Sequence, residues 1–177
     1  NYANVWRESG ENGMESIYEV QATLTNGLRD YTNVQGPRGT PDLGWGFNTP
    51  SSSLENAYET GDLRKNATIL YRNAGVLWDG FPTSAGWNNP RYNYKAYQSQ
   101  LAEAWNGDKG STAKNLRILK YSDILLIRAE AAFQLNLTSE ALDNVNKIRT
   151  RAGLQVLTSV TIQDIYKERR LEMAMEH

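Results

Sequence analysis

The segment that most limits how this chain can fold is Leu116 to Leu154, LRILKYSDILLIRAEAAFQLNLTSEALDNVNKIRTRAGL. Tyr121, Leu125, Ala129 and Ala132 recur every three or four residues, and Ile124, Ile127, Ala131 and Leu135 form a second apolar row beside them. Apolar residues on two rows predict a largely buried helix. Asn136 to Ser139 breaks the pattern, with Thr138 or Ser139 placed to accept from the free N–H groups of a second helix. Leu142, Val145, Ile148 and Ala152 are the buried stripe of that helix, and Gly153 stands where a left-handed residue would close it. So short a connection folds the second helix back on the first. The expectation is an antiparallel pair, Leu116 to Gln134 and Ser139 to Ala152, with Leu125, Ala129, Val145 and Ile148 in contact.

Turn residues divide the rest of the chain. Glu15 to Thr23 reads as a short strand through Ile17, Tyr18 and Val20. From Thr25 to Ser53 the density of Asn-Gly, Gly-Pro and single glycines predicts a long ordered loop. Ser51 to Ser53 cap a short helix carrying Leu54, Ala57 and Tyr58 and ending at Gly61, and Thr68 to Tyr71 is a second short strand. Thr161 and Asp164 stand at capping-box spacing and open a third helix with Ile162, Ile165, Leu171 and Ala174 inward. A length of 177 residues suits one domain, 1–177.

The most informative irregular stretch runs from Tyr71 to Tyr97. Tyr71, Trp78, Phe81, Trp87, Tyr92, Tyr94 and Tyr97 follow neither a helical nor an alternating period, and Gly, Pro, Asp and Asn between them turn the chain at the surface. An indole or phenol ring can cover the C–H face of a pyranose while Asn, Asp and Arg meet its hydroxyls. Trp78 and Trp87 are the candidate platforms, with Asp79, Asn88, Arg91 and Tyr92 beside them and Tyr31 and Trp45 as further candidates. The alternative is that each ring fills a gap under the loop.

Other chemistries fit poorly. A net charge of −1 lacks the basic footprint of a nucleic-acid binder, and the absence of cysteine removes disulfides and thiolate sites. No apolar run is long enough to span a bilayer. GPRGTPDLGWG has the glycines of a phosphate loop but no Lys-Ser or Lys-Thr pair after them. Glu168, Glu172 and Glu176 line one helix face, a pattern read as a solvated or salt-bridged face beside Lys167, Arg169 and Arg170. Glycosidase carboxyls instead flank a bond from separate elements of a cleft. The only histidine, His177, has no visible partner, so no enzyme activity, cofactor or metal site is expected.

The hairpin also carries a resemblance. Ala129 and Ala132, then Glu140-Ala141 with Val145 and Ile148, are similar to a tetratricopeptide-type pair. Residues 119–131 (LKYSDILLIRAEA), 145–154 (VNKIRTRAGL) and 165–176 (IYKERRLEMAME), with 15–21, 45–50 and 61–64, together resemble the SusD/RagB family of outer-membrane nutrient-binding lipoproteins. The resemblance implies a mainly α fold of tetratricopeptide-like helical hairpins with long irregular loops and one or two short strands. It implies a non-catalytic protein on the outer membrane of gram-negative Bacteroidetes, held by an N-terminal lipid absent from this chain. Such a protein passes oligosaccharide, or in some branches peptide, to a SusC-like TonB-dependent transporter. The alternative is a tetratricopeptide-type scaffold for protein partners. The chain would be the C-terminal part of such a protein, and no binding residue of the family carries over, because those lie in variable loops.

Overall fold

A computed structural model describes residues 2–28 and 30–176, so His177 lies outside the described residues. After two 3-10 turns (Tyr2–Trp6 and Glu8–Gly10) come β1 (Ser16–Val20), α1 (Tyr31–Gln35), α2 (Ser52–Ala57), α3 (Leu63–Thr68) and β2 (Ile69–Tyr71). Then follow β3 (Arg91–Asn93), β4 (Leu116–Lys120), α4 (Tyr121–Gln134), α5 (Thr138–Arg151) and α6 (Ile162–Glu172). The fold is mainly α, and among the described residues two two-stranded antiparallel sheets, β1–β4 and β2–β3, give four short strands where one or two were expected.

The helical hairpin is present, with its start corrected. Leu116 to Lys120 is a strand, paired with β1 from Val20↔Leu116 to Ser16↔Lys120 through a bulge, and the helix begins only at Tyr121. The apolar residues there suit either period, and the partner strand decided between them. α5 packs back along α4, with Leu125 against Ile148 and fully buried Ala129 against Val145 and Ile165 of α6. Small side chains at this crossing let the backbones approach closely. No side chain caps α5: its N-cap is Leu137, in place of Thr138 or Ser139. Its end is as expected, with Gly153 at φ +77°.

The second apolar row of α4 is not buried. Ile124, Ile127 and Leu135 are 37%, 47% and 69% exposed, as is Tyr121. Both α5 and α6 pack on the opposite side of the helix, so the side carrying Ser122, Leu125, Leu126, Ala129 and Ala132 is the one that is covered.

α6 opens with the expected capping box, Thr161 with Asp164. Only Glu168 and Glu172 of the expected acidic face lie on it, since the helix ends at Glu172 and Glu176 follows beyond its cap at Met173; these carboxylates are salt-bridged but not solvated. Glu168 and Glu172 are buried, and they meet cations from other elements. Glu168 lies 2.7 Å from Arg64 and 2.6 Å from Arg149, Glu172 pairs with Arg151, and Glu176 pairs with Lys95 (2.8 Å) and Lys120. Arg64 is held from its other side by Asp62, which also caps α3. Burial by itself would lower the Arg64 pKa, but the three surrounding carboxylates hold it above its ordinary value. Three neighbouring carboxylates, each paired with a cation from another element, form a structural lattice, which ties α6 to α3, α5 and the loop before β4.

Candidate functional site

The stretch between β2 and β4 is built around its own apolar cluster: Leu70, Leu77, Trp87, Tyr92 and Tyr97, with Leu43, Phe81 and Tyr94 against it. The earlier glycine-rich loop is laid on it. Gly39 pairs with Trp87, while the Thr40 N–H donates to Gly86 O (3.1 Å) and the Asn88 N–H to Arg38 O (2.8 Å). Only glycine fits at position 39: φ is +131°, and a Cβ would lie 2.2 Å from Gly86 O. The two loops, far apart in sequence, therefore present their exposed side chains on one support.

That packing separates the candidate residues. Trp87 is 1% exposed, its indole N–H donates to Pro41 O at 2.8 Å, and it meets Tyr92 edge-to-face at 5.9 Å. Tyr92 is fully buried, with its hydroxyl accepting from the Asn89 N–H and donating to Arg38 O. Neither ring can be a platform. Asp79 is committed inward, accepting from the Tyr97 hydroxyl (2.8 Å), the Ser99 hydroxyl and the Phe81 N–H. Burial would raise its pKa, but these donors hold it below the ordinary carboxylate value. Arg91 is spent on Glu55 (2.7 Å) and Pro50 O (3.0 Å). Tyr31 is half-buried with an enclosed hydroxyl, and desolvation pushes its pKa up to about 12.

Trp78, Trp45 and Asn88 face solvent. Trp78 is 44% exposed, with its backbone N–H donating to the Tyr94 hydroxyl at 3.1 Å. Trp45 is 48% exposed and stands edge-to-face with Phe47, whose ring is 58% exposed, at 6.4 Å. Phe47 was not among the sequence candidates, although Trp45-Gly46-Phe47 offered a signal: two rings flanking a glycine. Gly46 has φ +75° and sits against Arg38, Asn89 and Tyr92. A cleft of about 320 Å³, lined in part by Tyr71, Val76, Leu77 and Tyr94, opens beside the Trp78 segment. A larger hollow, about 600 Å³, lies at the α4–α5 turn and is lined by Arg128, Glu140, Asp143 and Lys147 with no aromatic ring. The aromatic surface is the better candidate, because it offers exposed rings for stacking and the hollow at the α4–α5 turn offers none.

Among the described residues no cluster of His, Cys, Asp or Glu could hold a metal, and no helix is long and apolar enough to cross a membrane.

A helical hairpin tied by buried ion pairs to an irregular loop with outward-facing rings defines a class: a helical platform that presents side chains from its loops. The SusD family model matches residues 14–177, and the chain belongs to that family. A SusD-like protein of Bacteroides ovatus is 28% identical to it, over all of this chain and 35% of its own length. Surface glycan-binding protein A from Bacteroides uniformis superimposes with a TM-score of 0.73 at 29% identity, over 99% of this chain and 38% of that one. Surface glycan-binding protein A from Bacteroides thetaiotaomicron, solved in complex with laminarihexaose, gives a TM-score of 0.78 at 26% identity, over 99% and 43%. The chain thus spans roughly a third to two fifths of the length of these relatives.

Proposed function

We propose that this protein captures oligosaccharide at the cell surface through Trp78 and the Trp45–Phe47 pair, with Asn88 meeting sugar hydroxyls. The observation that carries the reading is that these rings stay exposed on loops whose other aromatics are packed and hydrogen-bonded beneath them. A flat ring held on a fixed support covers a pyranose face at little entropic cost. The whole protein is, on this reading, non-catalytic, anchored in the outer membrane by an N-terminal lipid, and hands its ligand to a SusC-like TonB-dependent transporter. Because a similar protein was solved with laminarihexaose, β-glucans are the first ligands to test.

Affinity electrophoresis in laminarin, followed by a wider set of neutral glycans, tests the site. Trp78→Ala and Trp45→Ala should each cost roughly 1–3 kcal/mol of affinity, and the melting temperature of Trp45→Ala should stay near that of the parent. Unchanged retention in both variants would remove these rings from the site. Co-purification of a large barrel protein with the full-length native protein in detergent tests the delivery step. The exposed row Ile124, Ile127 and Leu135 favours a second reading, a scaffold that binds a protein along α4. Persistent lack of glycan binding, with capture of a defined protein partner lost on Ile127→Glu, would select it.

A further inference from the structure

We infer that Arg7, the extended residue between the two 3-10 turns that precede β1, is the positioning residue of the Trp78 platform, clamping the indole from below. The inference rests on the reading that Trp78 contacts glycan.

Arg7 is only 4% exposed, yet among the described residues no carboxylate lies within ion-pair distance of it. That sets it apart from every other buried cation described. Arg64, Lys95, Lys114, Arg117, Lys120 and Arg149 each have a carboxylate within 4 Å. The acids nearest Arg7 are engaged elsewhere, Asp79 by Tyr97 and Ser99, and Glu103 by Lys114 and the backbone N–H groups of Glu8 and Ser99. What surrounds the guanidinium is aromatic. Its Cζ lies 4.8 Å from the centroid of the Trp78 ring and 4.7 Å from that of Tyr94. Its Nη1 has no hydrogen-bond partner.

A buried cation without a counter-ion is costly, and the offset here comes from two ring faces, which attract a guanidinium most when it is desolvated. That attraction is directional. It is lost if the indole rotates, so the side that Arg7 covers is fixed and the exposed remainder keeps one orientation. Tyr94 completes the clamp: its ring also meets the guanidinium, and its hydroxyl accepts from the backbone N–H of Trp78. Burial alone would favour an apolar residue at position 7. A cation fits a requirement to hold a half-exposed ring still. A residue that acts through another in this way changes affinity by preorganisation, without touching the ligand.

The test uses the chain labelled with 5-fluorotryptophan, with the Trp78 resonance assigned from Trp78→Phe, and binding of laminarihexaose and a panel of neutral oligosaccharides. In Arg7→Met the Trp78 resonance should shift and narrow as the ring gains motion, while those of Trp45, Trp87 and Trp105 stay in place. Affinity should fall about five- to fiftyfold, a range set by losing part of an aromatic anchor's contribution. Arg7→Lys keeps the charge without the planar fork and should lie between parent and Arg7→Met. Should Arg7→Met not fold, Arg7→Lys carries both readouts. In a Trp78→Ala background Arg7→Met should change affinity no further. If Trp78→Ala weakens binding while the Arg7 variants leave the Trp78 resonance and the affinity unchanged, only the clamp is refuted. If Trp78→Ala binds as the parent does, or the parent binds no glycan of the panel, the function proposed for Trp78 falls and the clamp's role falls with it.

Discussion

Replacing Glu168 by Gln keeps the side chain's shape and removes its charge at the centre of the buried lattice. Glu168 is 1% exposed, with one oxygen accepting from Arg64 Nη1 at 2.7 Å and the other from Arg149 Nη1 at 2.6 Å. The amide turns one acceptor into an NH2 group, which then faces a guanidinium donor. Removing one partner of a buried ion pair commonly costs about 3–5 kcal/mol. The lower end applies here, because neither arginine is left alone. Arg64 keeps Asp62 at 2.9 and 2.7 Å, and Arg149 keeps Glu59 at 3.0 and 3.1 Å and Gln155 O at 2.9 Å. For a chain of this length about 3 kcal/mol corresponds to a fall in Tm of roughly 6–12 °C. Scanning calorimetry of the parent, Glu168→Gln and a control, Glu140→Gln, measures it. The control breaks the exposed Arg128–Glu140 pair, where both side chains are more than a third solvent-accessible, and should cost less than about 1 kcal/mol. Equal Tm values for the two variants would refute the claim that the acidic face of α6 is a structural lattice.

Two further predictions concern stability. Trp87→Ala removes a core indole and its hydrogen bond to Pro41 O, so it should cost about 3–5 kcal/mol in denaturant unfolding; a loss below about 1 kcal/mol would mean that Trp87 is not the support of the aromatic loops. The Glu59 carboxyl is held down to about 2, from an ordinary 4.5, by hydrogen bonds from Arg149 and Lys167. Between those values the unfolded chain binds a proton that the folded chain refuses, so this contribution is full above about 4.5 and is lost as pH falls toward about 2. Tm measured from pH 5 to 2 should therefore fall less steeply for Glu59→Gln than for the parent, and parallel curves would exclude the assignment.

The sequence by itself determined what depends on neighbours within a few residues. The α4–α5 hairpin, the Thr161–Asp164 capping box, the Ser51 cap that accepts from the Leu54 N–H, and the left-handed Gly153 are all legible because their hydrogen bonds and dihedral requirements close locally. The family resemblance was legible for the same reason, since its three longest motifs, 119–131, 145–154 and 165–176, lie largely on α4, α5 and α6. The tertiary structure alone decided the rest. Leu116 to Lys120 became a strand because β1, a hundred residues earlier, offered a ladder, and Ile124, Ile127 and Leu135 stayed exposed because α5 and α6 chose the other side of α4. Trp78 and Trp87 sit in the same kind of turn-rich sequence, yet one is exposed and the other buried. The difference lies in what reaches them: the Gly39 loop closes over Trp87, whereas Arg7 comes under Trp78 and leaves the ring's remaining surface to solvent. Likewise Asp79 and Arg91 have the side chains a sugar site needs, but nonlocal partners had already claimed their hydrogen-bonding capacity. Burial and pairing are properties of distant contacts, and period and composition carry no record of which distant residue arrives.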